Sequence, residues 1–393
     1  MQTTPRLTDT QTLRTARSMI ERHLPLHANG YKCKSSHLYD VLLGVAASGE
    51  TIQSRCQHLP GAPKADTVRE YLNKQLTLDE LTVLQDRLNE ALSDKLPQRL
   101  RHKDQRIAID FHDQPYYGKA QQDQAKWIRA RARDGTTRFL RVATAYVIHR
   151  GLRLSLAIAL VMPEDSTVEV LETLLKRLSA VDVPIGCLLL DKGFASIAVM
   201  EHLWRHQVPA IMACPIRGKK EPEPTATRAL CRGRRSYRTD YTFSNSQCAF
   251  TASVAVCRVF TTSRRTGRMP RHGRWLIFIV LGEALAYLSP RQVRRLYKPR
   301  FGVETSYRLS HQVRGWTTSS NVAYRFVLMA LSFFMVNVWV HLCWLYTQVP
   351  RRGGRYLDTE RFKLRRYAKF IMQALAQRYG RVCQIVAPAV PRP

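Results

Sequence analysis

Two aspartates each close a short run of apolar residues, and these two positions are where the sequence first suggests chemistry. Asp110 ends the run that begins at Ile107, and Asp191 ends the run that begins at Cys187 and is followed by Lys192. A carboxylate at the end of a buried strand is costly unless a cation pairs with it. An arginine would be the simplest partner for either acid alone. Ligands, however, gather at the carboxyl ends of strands in open α/β sheets, so two such acids indicate a binding or catalytic site.

Another acid, Asp113, lies three residues beyond Asp110 and competes with it for the role of ligand. Along an extended strand, an offset of three residues points to the opposite face. Because Asp110 directly ends the apolar run, we expect Asp110 to be the ligand and Asp113 to be a loop residue. We interpret the lone histidine between them, His112, as a hydrogen-bonded structural residue. The absence of a Walker loop, a GxGxxG motif and an HExxH motif argues against nucleotide-driven and zinc-protease chemistry.

The chain is strongly basic along its whole length. It has 62 Lys and Arg residues against 30 Asp and Glu residues, a formal net charge of +32. Such an excess repels itself unless a polyanion or an anionic surface is the partner, and its even spread favours nucleic acid over a membrane. Arginine runs interleaved with Trp and Tyr suit phosphate contacts with occasional base stacking. These runs cover 129–141, 228–238, 263–274 and 351–366.

The cysteines and the apolar stretches indicate in which cellular compartment the protein acts and whether it enters a membrane. The nine cysteines form no CxxC pair and no histidine pair has finger-like spacing, so we predict reduced thiols in the cytoplasm and no structural zinc site. The N-terminus lacks the apolar core of a secretion signal. Residues 326–346 are apolar and long enough to span a membrane, but arginines flank them on both sides. We interpret this stretch as a buried helix in a protein that does not bind a membrane, with a membrane span as the alternative.

Periodicity predicts a mixed α/β sheet of the ribonuclease-H kind in the middle of the chain. Three strands, a helix, a strand, a helix and a final strand follow one another, and a turn at Arg150-Gly151 joins the second and third strands as a hairpin. The predicted strands are 107–110, 139–148, 152–162, 186–190 and 209–214, and the helices are 168–180 and 195–206.

Composition divides the chain into five parts. We predict an all-helical DNA-binding domain at the N-terminus, in which 50–75 suits either a helix-turn-helix or a plain helical packing module. The segment after Pro215 is basic and contains strand-like stretches, which indicates a β-rich insertion into the catalytic domain. The parts are the helical domain 1–100, the first part of the ribonuclease-H-like domain 101–214, the insertion 215–275, the last part of the catalytic domain 276–347 with the buried helix, and a basic helical tail 348–393.

Three segments carry a resemblance to a known family. They are IAIDFHDQPYYG (107–118), LLLDKGFAS (188–196) and YKPRFGVETSYRLSH (297–311). They resemble motifs of DDE transposases from bacterial and archaeal insertion sequences, in the subgroup with a β-rich insertion domain and a tyrosine–arginine–glutamate signature. The resemblance extends through much of 105–345 and implies a ribonuclease-H-like catalytic domain.

The resemblance implies a catalytic, metal-binding triad of Asp110, Asp191 and Glu304. It places the signature tyrosine on Tyr297 and the signature arginine on Arg300, and we expect both to contact DNA or its phosphates. The last two acids are separated by 113 residues, which leaves room for the inserted strands of this subgroup.

Several basic residues near the triad are candidate phosphate contacts. Arg300, Glu304, Arg308 and His311 share one helical face. His311 stands where the family usually has a closing lysine. We expect Glu304 to be a metal ligand and the three basic residues to grip DNA phosphates, with a Glu304–Arg308 surface pair worth about 0.3–0.5 kcal/mol as the alternative. Lys192 is a further candidate for a DNA or phosphate contact.

The chemistry that the triad implies is phosphoryl transfer. Three converging carboxylates repel one another and raise one another's pKa values, and bound cations remove that penalty. Mg²⁺ and Mn²⁺ prefer oxygen ligands, and two such ions about 3.5–4 Å apart activate the attacking oxygen and stabilise the leaving oxygen. We therefore predict two Mg²⁺ or Mn²⁺ ions as cofactors.

These observations together predict a DNA transposase in the cytoplasm, associated with the nucleoid. It would bind the double-stranded terminal inverted repeats of its element, nick next to the 3′ ends and join the freed 3′-OH groups to target DNA. The resemblance implies a homodimer in a paired-end complex. The alternatives are a ribonuclease-H-fold nuclease without strand transfer, an inactive DNA-binding relative, and a membrane protein built on 326–346.

Overall fold

A computed structural model describes most of the chain. The described residues are 6–118, 126–149, 152–218, 226–260, 273–352 and 354–384. Side chains are not described at positions 148, 149, 152, 301, 303 and 304. The predicted turn Arg150-Gly151 and nearly all of the arginine-rich loop 263–274 therefore lie outside the described residues.

The N-terminal part is helical. Threonine side chains begin two of its helices: Thr8 accepts a hydrogen bond from the backbone N–H of Gln11, and Thr51 accepts one from that of Ser54. The third and fourth helices are the two short helices that the sequence predicts within 50–75. The five helices are α1 (Asp9–His23), α2 (Ser35–Ser48), α3 (Ile52–His58), α4 (Ala65–Gln75) and α5 (Leu81–Ser93).

A mixed sheet follows the helices. Its first four strands are β1 (Gln105–Pro115), β2 (Ile128–Arg133), β3 (Thr136–His149) and β4 (Leu152–Val161). Helix α6 (Thr167–Ala180) then leads to β5 (Ile185–Leu190), and helix α7 (Ile197–Arg205) leads to β6 (Ala210–Cys214). The spatial order is β4-β3-β1-β5-β6, in which β3 is antiparallel to β1 and β4, whereas β5 and β6 run parallel to β1. The α/β, ribonuclease-H-like mixed sheet predicted from the sequence is confirmed.

Amide side chains from two helices protect the free edge of β4. Asn89 of α5 bonds to both the N–H and the carbonyl oxygen of Ile158, at 2.8 and 2.9 Å. Asn337 does the same at Ser155, at 3.1 and 2.8 Å. Because an exposed strand edge is a template for unwanted pairing, covering it with helical amides closes this side of the sheet.

The basic segment after Pro215, predicted as an insertion, contributes strands to the same sheet. Strands β7 (Tyr237–Ser244), β8 (Ala249–Val259) and β9 (Arg274–Leu281) continue the order as β6-β9-β8-β7, all antiparallel. The predicted boundary at residue 275 falls inside β9. The sequence analysis did not predict β2 or β7, although the alternation of Ile, Ala and Arg in β2 and of Tyr, Thr and Phe in β7 is typical of strands.

The last third of the chain is mostly helical, and a long apolar helix lies at its centre. This helix, α10 (Val322–Tyr346), is long and apolar enough to cross a membrane, but 94% of its most apolar window is buried in the protein. That burial agrees with the interpretation of 326–346 as an internal helix. The other elements are α8 (Pro290–Tyr297), α9 (Gly302–His311), the hairpin β10 (Gln348–Arg351) and β11 (Gly354–Leu357), and α11 (Leu364–Tyr379).

The C-terminal helix α11 packs on the N-terminal helices rather than standing apart. The buried carboxylate of Asp40 in α2 accepts a hydrogen bond of 2.7 Å from the Tyr379 hydroxyl and lies 3.4 Å from the guanidinium groups of Arg17 and Arg378. A buried charge is tolerated when it is paired and hydrogen-bonded in this way. The basic tail therefore contributes a structural helix to the N-terminal core.

Candidate active site

Asp110 and Asp191 lie side by side because of the register of the sheet. β1 and β5 are parallel neighbours, and Ile109 is paired with Leu190. The acids come directly after this pair: Asp110 is the next residue within β1, and Asp191 is the first residue after β5. The sequence predicted this edge of the sheet as the site, and the structure brings these two carboxylates together there.

One buried guanidinium bridges the two acids. Arg300 Nη1 donates to Asp110 Oδ2 at 3.1 Å, and Arg300 Nη2 lies 3.6 Å from Asp191 Oδ1. Arg300 belongs to a 3-10 turn at Lys298–Phe301 that follows α8. The signature arginine thus supplies the positive charge that a pair of partly buried carboxylates requires.

The signature tyrosine holds this turn against the sheet. Tyr297 is buried, and its hydroxyl donates a hydrogen bond of 3.0 Å to the carbonyl oxygen of Leu190, the residue before Asp191. Its ring packs against Phe278 of β9 at a centroid distance of 4.8 Å. The sequence analysis expected a DNA or phosphate contact at Tyr297, whereas the structure gives this side chain an internal, positioning contact.

Burial makes Asp110 an unusually weak acid. Desolvation raises the pKa of Asp110 to about 6, and the neighbouring Asp191 raises it too, while Arg300 and the backbone N–H of Phe111 lower it. The guanidinium therefore offsets only part of the cost of burying the carboxylate. A second cation near Asp110 would favour its ionised form further.

Tyr307, which the sequence analysis did not name as a site residue, contacts the backbone of β1 at Asp110. Tyr307 of α9 is buried, donates to the carbonyl oxygen of Asp110 at 3.2 Å and shares a hydrogen bond of 2.9 Å with Thr144 Oγ1. Burial raises the pKa of Tyr307 well above its ordinary value, so it is a neutral hydrogen-bonding group. Its position at α9, three residues beyond Glu304, was the only sequence feature that indicated proximity to the site.

Two histidines meet beside the acids. His112 stacks on Tyr307 at 4.4 Å, and its Nε2 lies 3.1 Å from Nε2 of His311. Burial, followed by the charges of His311 and Arg314, lowers the pKa of His112 to about 3, and burial together with Arg314 lowers the pKa of His311 to about 4. Two neutral rings share one N–H···N hydrogen bond. The interpretation of His112 as a structural histidine fits this contact, and His311, predicted as a phosphate contact, is its partner.

Asp113 is a strand residue, and the prediction of a loop residue was wrong. β1 continues to Pro115, because the pairing with β3 extends through Asp113 and Arg141 to Pro115 and Phe139. Arg141 grips the carboxylate of Asp113 through Nε and Nη2 at 2.7 and 2.9 Å, and Arg133 forms a further ion pair with it. Asp113 is thus neutralised by structural arginines.

The remaining predicted residues lie around the same edge. Lys192 follows Asp191 in a 3-10 turn and is exposed, and Arg308 is exposed on α9. Glu304 also belongs to α9, which packs against β1, but its side chain is outside the described part of the structure. Among described side chains, no group of three or more His, Cys, Asp or Glu residues has an arrangement that suits a metal ion.

The described donors fit a hard divalent cation. Asp110 and Asp191 offer only carboxylate oxygens, which are the ligands that Mg²⁺ and Mn²⁺ prefer. The two groups already share one positively charged partner in Arg300, which shows that the pair is arranged around positive charge.

Comparison with known proteins identifies the fold. No protein-family model and no curated protein matches the chain. Among solved structures, the chain is similar to a piggyBac transposase in a cryo-EM structure of its synaptic complex with hairpin DNA, with a TM-score of 0.54 and 9% sequence identity. The match covers 93% of this chain and 76% of that chain. This chain has a transposase fold.

Proposed function

We propose that this chain is a DNA transposase whose catalytic acids are Asp110, Asp191 and Glu304. The observation that carries the proposal is that Asp110 and Asp191 come directly after the last residue pair of the parallel strands β1 and β5, in a chain with a transposase fold. The motifs around these acids and around Tyr297 and Arg300 support membership of the insertion-sequence subgroup named above. The net charge of +32 supports double-stranded DNA as the partner.

In this proposal, three acids bind the metal ions and two tyrosines position the backbone that carries the acids. Asp110, Asp191 and Glu304 would hold two Mg²⁺ or Mn²⁺ ions, which when bound activate the attacking oxygen and stabilise the leaving oxygen. Tyr297 and Tyr307 fix the backbone on either side of the acids through the carbonyl oxygens of Leu190 and Asp110.

The basic residues around the acids would hold the DNA. Exposed Lys192 and Arg308 would meet phosphates, together with His311 and Arg300. The products would be nicks next to the 3′ ends of the element, followed by attack of each 3′-OH on target DNA. The solved structure that this chain resembles is a transposase in a synaptic complex with DNA. By analogy, we propose that this chain forms a homodimer that holds two ends of its element together.

The triad is tested by Asp191→Asn. We expect this variant to lose metal-dependent cleavage of DNA that carries the terminal inverted repeats, while its affinity for that DNA stays within about twofold. Asp182→Asn is the matched control, because Asp182 has a positive φ of 54° in a turn where asparagine is equally at home. Cleavage at the wild-type rate by Asp191→Asn would remove Asp191 from the catalytic set.

A joining assay distinguishes transposition from simple nuclease activity. Pre-cleaved ends with free 3′-OH groups are incubated with supercoiled target DNA and Mg²⁺. A transposase inserts the ends, a nuclease cuts without joining, and an inactive relative binds without either reaction.

A further inference from the structure

Helix α8 carries a continuous stripe of basic side chains. Arg291, Arg294 and Arg295 lie in α8 and Lys298 directly follows it; their spacing of i, i+3, i+4 and i+7 continues one side of the helix, and all four are exposed. Residues 284–303 contain these four and Arg300 but no acid at all. We call these four exposed residues the α8 stripe.

The charge of the α8 stripe is not balanced within the protein. In the ranges that the structure describes, no ion pair involves any of its four side chains. Helix α4 shows the contrast, because its exposed Arg69 and Lys74 pair with Asp66 and Glu70 of the same helix. Like charges three or four residues apart destabilise a helix, so an anionic partner would relieve a cost that the fold itself leaves in place.

The opposite side of α8 anchors the stripe beside the candidate active site. Val293 and Tyr297 are buried, and the Tyr297 hydroxyl is bonded to Leu190 next to Asp191. Three residues after Tyr297, Arg300 reaches both aspartates. The stripe therefore begins at the acids and extends away from them for about 10 Å, at about 1.5 Å per residue.

The inserted strands hold the start of α8. Arg238 Nη1 of β7 lies 3.0, 2.6 and 2.8 Å from the carbonyl oxygens of Leu285, Ala286 and Leu288, which share its two N–H donors. Three carbonyl groups of the turn before α8 are thus fixed by one guanidinium. Ser289 then caps the helix by accepting a hydrogen bond from the backbone N–H of Gln292.

We propose that the α8 stripe binds the phosphate backbone of double-stranded DNA beside the cleavage site, and that the insertion serves to hold it there. The inference rests on the proposed function and adds to it a DNA-contacting surface outside the signature residues. Four cations without an ion pair among the described residues, three on α8 and one directly after it, extend over about 10 Å, which matches about three phosphate spacings of one strand at about 3.4 Å of duplex axis each. Phosphate contacts of this kind fix the register of DNA without reading its sequence.

The test is the salt dependence of DNA binding. The triple variant Arg291→Gln/Arg294→Gln/Arg295→Gln removes three exposed charges and keeps the buried side of α8. We expect the slope of log K against log salt concentration to become shallower by about 2.7, because each lost phosphate contact contributes about 0.9. The matched control is Arg101→Gln/Lys103→Gln/Arg106→Gln, which removes the same charge from exposed positions around the start of β1, outside the arginine runs.

Two measurements separate the outcomes. An unchanged circular dichroism spectrum and melting temperature show that the triple variant is folded. In ethylation interference, ethylation of the phosphates beside the cleavage site should weaken binding of the wild type but no longer that of the triple variant. Equal changes of slope in the two triple variants would mean that only the total charge matters, and would overturn the inference. Failure of Asp191→Asn to abolish cleavage would instead overturn the proposed function, whatever the salt dependence shows.

Discussion

The two faces of strand β1 treat their aspartates in opposite ways. Asp113 is held by the bidentate grip of Arg141 and by Arg133, so its carboxylate is fully committed to the protein. Asp110, three residues earlier, shares one guanidinium with Asp191, and its burial raises its pKa. Both acids are in the same strand of the same basic protein.

The contrast shows how to distinguish a structural acid from an available one. A carboxylate with two dedicated arginines gains nothing from a further cation. A pair of carboxylates with one shared arginine retains a deficit of positive charge, and a site that binds cations needs such a deficit. Substitutions at Asp113 and at Asp110 change one face of β1 at a time.

The largest effect on stability is expected on the Asp113 face. Asp113→Ala leaves Arg141 half-buried without its partner, and breaking such a pair costs about 3 kcal/mol of unfolding free energy. Urea denaturation followed by fluorescence measures this loss. At a temperature where the variant is folded, DNA cleavage should remain within a few-fold of wild type, because Asp113 is on the opposite face of β1 from the proposed catalytic acid Asp110. Loss of cleavage in the folded variant would place Asp113 in the catalytic set.

A smaller effect of opposite sign is expected on the Asp110 face. Asp110→Asn removes a carboxylate that burial makes unfavourable, so the metal-free protein should gain about 2 kcal/mol at pH 7 while it loses cleavage. Urea denaturation in the presence of a chelator measures the gain. A loss of stability would mean that the contact with Arg300 outweighs the cost of desolvation.

The same carboxylate predicts a pH dependence. Because the folded pKa of Asp110 is raised from 3.8 to about 6, the folded state binds this proton more tightly than the unfolded state. The stability of the metal-free protein should therefore fall as the pH rises from about 4 to about 6 and stay level above that. In Asp110→Asn, the decrease in unfolding free energy between about pH 4 and about pH 6 should be smaller by the contribution of Asp110. If the variant shows the same pH dependence as the wild type, other groups cause the decrease.

Sequence patterns were most informative where burial alone decides the structure. The apolar runs that end at Asp110 and Asp191 predicted two strands of the sheet, and the pattern of 326–346 predicted a buried helix. Strands with one polar face were missed, since the alternating arginines of β2 look like a charge run. The pairing of β1 with β3 beyond Asp110 made Asp113 a strand residue. The contact of Arg300 with both acids is tertiary and follows only from packing.

The smallest expected effect tests whether the support behind β1 matters for chemistry as well as for stability. Tyr307→Phe removes the hydroxyl that donates to the backbone of Asp110 and leaves the ring in place, which should cost about 1 kcal/mol in urea denaturation. Tyr117→Phe is the control, because its exposed hydroxyl makes the same kind of bond to the carbonyl oxygen of Asp134 at 2.8 Å.

Positioning and stability are separable in this last comparison. If Tyr307 only stabilises the fold, the cleavage rate at saturating DNA and its dependence on Mg²⁺ concentration should match those of the control. If it fixes the backbone that carries Asp110, the variant should need more Mg²⁺ to reach half its maximal rate, since a carboxylate on a looser strand is a less well-ordered ligand. We expect the second result, with the DNA affinity unchanged, because the hydroxyl contacts Asp110 itself and lies away from the α8 stripe.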